Sequence, residues 1–161
     1  MNHLLDGLIL FSLVATGIMA GVYFTFSTFV MRSLDAIDAP AGMLAMQSIN
    51  RVILQSAFLP LFFASSAACG ILAVVAILDM SAPGALALLA ASIAYLTGMF
   101  LVTVMANVPL NNALEATSAT APEAAATWRR YIKRWTAWNH VRTASCSAAL
   151  VLFAIAYAAR W

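Results

Sequence analysis

Charge is what this chain has least of: among 161 residues only eight are Lys or Arg, six are Asp or Glu and two are His. A soluble domain has about a quarter of its residues charged. Here the share is 9%, against 64% hydrophobic residues and a mean hydropathy of +0.94. That balance excludes a soluble globular domain and indicates an integral membrane protein. A formal charge of only +2 offers no basic surface for nucleic acid. Cysteine is scarce as well: Cys69 and Cys146 both fall within apolar runs, with no His at metal-ligand spacing. Neither a disulfide framework nor a zinc site is indicated, and both thiols read as small buried hydrophobes. No internal repeat, low-complexity tract or second domain is visible, so residues 1–161 form one domain.

Four apolar runs reach the roughly twenty residues needed to cross a bilayer: Leu4 to Met31, Leu54 to Leu78, Ala85 to Ala106 and Val141 to Ala159. The expected fold is all-α, an integral membrane four-helix bundle of two helical hairpins. The first run lacks a basic leading segment, carries Asp6 early and continues into Phe24-Thr25-Phe26-Ser27, so it reads as a retained helix rather than a signal peptide. Between the runs lie Arg32 to Arg51, a tight turn from Asp79 to Gly84, and a longer connection from Asn107 to His140. Arg32, Arg51, Arg129, Arg130, Lys133 and Arg134 share one side with the boundary residue Arg142. The positive-inside rule therefore places both long connections in the cytoplasm and both termini outside. Glu115 to Ala126 is rich in Ala, Thr and Ser and is expected to be a mobile loop. After it, Pro122 and Glu123 suit a helix start. Trp128, Tyr131, Ile132 and Trp135 then recur at helical spacing with basic residues between them. An amphipathic interfacial helix is expected before the fourth span, its aromatic and basic residues at headgroup level.

Polar groups concentrate where that span begins, in Trp135-Thr136-Ala137-Trp138-Asn139-His140-Val141-Arg142-Thr143. Ionisable groups at bilayer depth are costly and mark function by default. At about 100° per residue, Trp135, Thr136, Asn139, His140, Arg142 and Thr143 occupy one broad arc that must face protein or water. Matching groups stand at the same end of the other runs: Tyr23, Thr25, Ser27 and Thr28; Gln47, Asn50 and Arg51; Asn107, Asn111 and Asn112. Helix-end hydrogen bonding accounts for Thr25, Ser27, Asn111 and Asn112 singly. The combination of Asn50, Arg51, Asn107, Asn139, His140 and Arg142 reads as a pocket half buried in the membrane.

His140 is the only histidine deep enough to act there, since His3 is terminal, and no carboxylate or nucleophile motif accompanies it. Paired-carboxylate hydrolysis, a Ser/His/Asp triad and a multi-ligand metal site are therefore poorly supported. Proton abstraction fits better: His140 as base, with Arg51, Arg142 and Asn139 stabilising an enolate or phenolate oxygen. Asn50, Asn107, Trp135, Trp138 and Tyr23 would contact the substrate. Two alternatives stand beside this reading. In one, His140 is the axial ligand of a haem whose propionates pair with the arginines. In the other the protein is a non-catalytic membrane subunit or small-molecule binder.

The segments Gly21-Val22-Tyr23-Phe24-Thr25-Phe26-Ser27, Met46-Gln47-Ser48-Ile49-Asn50-Arg51, Asn107-Val108-Pro109-Leu110-Asn111 and Trp135 to Thr143 together resemble the DUF1772 family of small membrane proteins. Its characterised branch contains the anthrone oxygenases of aromatic polyketide pathways. The resemblance implies a four-helix membrane protein and, for that branch, O2-dependent conversion of an anthrone methylene to a quinone carbonyl without a classical bound redox cofactor. The partners it implies are the lipid bilayer, a hydrophobic aromatic or quinol-like molecule and O2, with a bacterial inner membrane as the location. Assembly into a homo-oligomer is left open.

Overall fold

The computed structural model describes residues 3–160. They form five helices joined by short connections: α1 (His3–Asp35), α2 (Ala39–Ile53), α3 (Phe58–Leu78), α4 (Ala85–Glu115) and α5 (Ala124–Ala158). All but α2 are long and apolar enough to cross a membrane. The protein is thus an integral membrane helical bundle, as its composition requires.

The four long helices pack in a ring, α5 against α1 and α4, and α3 against α4 and α1. Chain direction alternates around it. Near the chain termini, Asp6 at the start of α1 pairs with Arg160 beyond α5 at 2.7 Å, which neutralises both charges. The α3–α4 turn lies beside them, where Gly84 adopts φ 79° and any Cβ would run into the Ala156 carbonyl. Ile9, Met19, Cys69, Leu72, Leu88, Tyr95, Cys146 and Phe153 fill the ring's interior. Gly98 lets α4 and α5 approach closely, since a Cβ there would collide with the Ser145 side chain.

The opposite, basic end is more ordered than hydropathy suggests. The connection from Arg32 to Arg51 is largely α2, started by Asp38, whose carboxylate accepts from Ala41 N at 3.1 Å, and by Pro40 in its first turn. α4 continues past its apolar run to Glu115, leaving residues 116–123 as the connection to α5. Gln47 on α2 donates to the Leu114 and Thr117 carbonyls at 2.8 and 3.0 Å, so the end of α4 is capped by a side chain. The second span begins at Phe58 rather than Leu54, because residues 54–57 form a turn in which Ser56 Oγ accepts from Phe58 N.

The segment expected as a separate interfacial helix is the first part of the unbroken α5. Its aromatic face does not lie among headgroups: Trp128, Tyr131 and Trp135 are buried against Met31, Met43, Met46 and Leu114 in a second core. The physical reason is α2, whose apolar side lies within reach and removes those rings from solvent and lipid alike. Arg129, Arg130, Lys133 and Arg134 remain exposed, as an interfacial position demands.

Candidate functional site

Where the two cores meet, the long helices depart from regular α geometry. α1 widens into a π turn at Phe26–Val30, and α4 does so at Leu96–Leu101 and Thr103–Asn107. Such turns are rare, release backbone groups and cluster at functional sites. Just before the π turn of α1, the Tyr23 carbonyl accepts from Asn139 Nδ2 on α5 at 2.7 Å. The same nitrogen reaches Ser27 Oγ at 2.7 Å, and Ser27 is linked in turn to Thr143 at 2.9 Å. Asn139 Oδ1 accepts from Arg142 Nη2 at 2.8 Å. Asn139 therefore ties α1 to the guanidinium.

Arg142 is only 4% exposed, and its partners are neutral. Besides Asn139, Nη1 makes a long contact of 3.4 Å to Thr103 Oγ1, and the guanidinium lies over the rings of Tyr23 and Trp135 at 4.3 and 4.9 Å. Ring faces attract a desolvated cation by about 2 kcal/mol, well short of replacing its hydration or an ion pair. The ion pairs among the described residues are Arg51–Glu115 and Arg160–Asp6, and neither includes Arg142. A buried cation stands here without an anion.

Beside it lies a cavity of about 200 Å³. Phe26, Met46, Ile49, Phe58 and Phe62 supply apolar walls, and Tyr23, Asn50, Thr103, Asn111, Trp135 and Arg142 supply polar groups. Among those residues Trp135 Nε1 and Arg142 Nε are buried without a hydrogen-bond partner, while the Tyr23 hydroxyl lies beside Thr103 and Arg142, and Asn50 beside the Tyr131 hydroxyl. Buried donors are almost always satisfied.

Tyr23, Asn50, Trp135 and Arg142 were all anticipated from sequence, and the structure brings them together here. Asn107 and Asn139 stand behind the cavity, Asn107 donating to the Trp135 carbonyl at 3.2 Å and so fixing the indole's backbone. Three anticipated residues lie elsewhere. Arg51 is exposed and paired with Glu115 at 2.6 Å. Trp138 is 40% exposed on the outer face of α5. His140 is also exposed, in a shallow surface groove with Arg32, Asp35, Lys133 and Thr136. At about 100° per residue the buried stripe of Trp135, Asn139, Arg142 and Cys146 is only ~60° wide, and His140 lies ~100° beyond Asn139. The base role and the haem-ligand role both required His140 inside the bundle. Among the described residues no three His, Cys, Asp or Glu converge as a metal site.

Sequence reasoning missed Thr103 and the stacked pair Phe58 and Phe62, and it assigned Asn111 to helix-end bonding. Asn111 instead accepts from the Tyr131 hydroxyl on α5 at 2.9 Å and also lines the cavity. The available signals were spacing signals: Thr103 precedes Asn107 by one turn, and Phe58 precedes Phe62 by one turn.

The sequence profile of the anthrone oxygenase family matches residues 7–152. The chain belongs to the anthrone oxygenase family. The matched span includes every residue that lines the cavity, and most of both cores. No curated protein and no solved structure matches the chain.

Proposed function

We propose that this member of the anthrone oxygenase family is a membrane-embedded oxygenase that binds a flat, hydrophobic phenolic or anthrone-type molecule as its oxyanion. The observation that carries the reading is Arg142, a buried guanidinium without a carboxylate among the residues that line a largely apolar cavity. Donors aimed at a developing oxyanion in a water-poor site act more strongly than in water. In the cavity Arg142, Tyr23, Asn50 and Trp135 would favour the enolate over the ketone, while Phe58 and Phe62 form an apolar wall for the aromatic rings.

With an anthrone, ionisation gives up a benzylic proton to solvent before the anion binds, and the anion's electrons pass to O2, forming a C–O bond at the former methylene. The peroxide oxygen takes back a proton, and loss of water leaves the quinone carbonyl. The balance is one anthrone and one O2 to one quinone and one H2O. The substrate supplies the electrons, and no bound redox group is part of the proposal. His140 has no step in it. We place the basic end of the bundle, with α2, on the cytoplasmic side of a bacterial inner membrane by the distribution of Arg and Lys.

The test is oxidation of an anthrone by the protein in lipid nanodiscs, followed by quinone absorbance and O2 uptake. Arg142→Gln should lower the rate by about 100-fold or more, the usual loss on removing one oxyanion donor. His140→Ala should stay within about two-fold of wild type. An active Arg142→Gln variant, or an inactive His140→Ala one, overturns the assignment. A Soret band in the purified protein that disappears in His140→Ala would restore the haem alternative.

A further inference from the structure

The cavity has a direction. Its water side is closed by α2, from which Met46, Ile49 and Asn50 form the roof at the basic end. Its other side is open: Leu54, Phe63 and Val104 line the cavity and are themselves 61%, 57% and 47% exposed. All three are apolar, and Phe63 and Val104 lie within spans α3 and α4. In a bilayer such surfaces meet acyl chains. A continuous path therefore runs from hydrocarbon, between α3 and α4, to the guanidinium of Arg142.

The volume adds a second constraint. Pockets that enclose a whole drug-sized ligand measure about 300–1,000 Å³, and this one holds about 200 Å³. It can surround the oxygen-bearing edge of a polycyclic molecule and leaves the remainder in the mouth.

We infer that the cavity takes its ligand edge-on from the bilayer, oxygens toward Arg142 and Tyr23, with the opposite edge projecting past Leu54, Phe63 and Val104 into lipid. The substrate class is then a polycyclic phenol or anthrone whose oxygens lie along one edge and whose far edge is apolar, alkyl-substituted forms included. Water-soluble glycosides or sulfonates substituted at the far edge are excluded. The inference rests on the oxyanion reading of Arg142 for the ligand's orientation, while the mouth itself stands on geometry alone.

Binding in nanodiscs is measured by calorimetry under argon with a dihydroxyanthrone that carries its ketone and both hydroxyls on one edge, and with derivatives bearing a decyl chain or a sulfonate on the far edge. The decyl form should bind within about three-fold of the parent and the sulfonate about 30-fold more weakly, since a charge in the mouth must enter hydrocarbon. Val104→Trp should weaken the parent about ten-fold by filling the mouth, whereas Val141→Trp on the outer face of α5 should not. Equal binding of the sulfonate, or an unaffected Val104→Trp variant, overturns the inference. Undiminished binding by Arg142→Gln would instead defeat the oxyanion reading, with the decyl and sulfonate comparison still deciding the mouth. If the parent does not bind at all, a bimane label on Val104→Cys decides it: spin-labelled lipid should quench the label, and absence of quenching overturns the mouth. The native thiols are fully buried and would not take the label.

Discussion

Replacing Asn139 by Leu should destabilise the bundle more than any other single polar-to-apolar change at this depth. The side chain is fully buried and holds three partners at 2.7–2.8 Å: the Tyr23 carbonyl and Ser27 Oγ on α1, and the Arg142 guanidinium on its own helix. Interhelical hydrogen bonds within membranes contribute about 0.6–1.7 kcal/mol each, and a bond to a charged group about 1.5–3 kcal/mol. Leu is close in volume, so little cavity is added, and the loss should be roughly 3–5 kcal/mol. Ser27 can still bond Thr143, which favours the lower part of that range. Val141→Leu, two residues along on the exposed face, is the control and should change stability by less than about 0.5 kcal/mol. The assay is unfolding in mixed micelles of rising dodecyl sulfate content, followed by helicity. An Asn139→Leu variant within about 1 kcal/mol of wild type would refute the inward-facing network.

Gly98→Ala should cost about 1–3 kcal/mol because its Cβ would displace Ser145 across the α4–α5 contact; an unchanged melting temperature would show that the helices do not approach so closely. Trp128→Ala should cost about 3–5 kcal/mol, the indole being 2% exposed and stacked on Tyr131 at 5.8 Å. A ring anchored merely at headgroup level would be nearly silent in the same unfolding assay. Arg51→Gln should leave anthrone oxidation unchanged and alter stability by less than about 1 kcal/mol, because its partner Glu115 and the arginine itself are both largely exposed. Loss of turnover in that variant would return Arg51 to the site.

The four spans were legible because an apolar run of about twenty residues has essentially one structural meaning. Their ends were not, since hydropathy marks where lipid stops and not where a helix stops. α4 runs on to Glu115 and α5 starts at Ala124 because both helices keep a packing partner outside the hydrocarbon, namely α2. The signs of α2 were in the chain: Asp38 as cap, Pro40 in the first turn, and Met43, Met46 and Gln47 at helical spacing. Read as part of a connection, they left Trp128, Tyr131 and Trp135 without protein to pack on. The interfacial helix was the consequence of that omission.

The site was legible to the extent that polarity is costly at its depth. A soluble helix shows its buried stripe by contrast with a polar outer face. A membrane helix lacks that contrast: Val141, Val151 and Ile155 on the outside of α5 are as apolar as Cys146 and Phe153 within. Only polar residues can then indicate the inward face, and they do so only as far as lipid forbids the alternative. His140 sits about one turn beyond Thr136 and two turns beyond Lys133, with which it shares a groove, and can turn outward to headgroups at little cost. Arg142 lies about 3 Å deeper, at 1.5 Å per residue, and shares its face with Trp135, Asn139 and the interior residue Cys146. Depth therefore separates two neighbouring nitrogen-bearing side chains that sequence adjacency had joined. The one that cannot reach water is the one that lines the cavity without an anion.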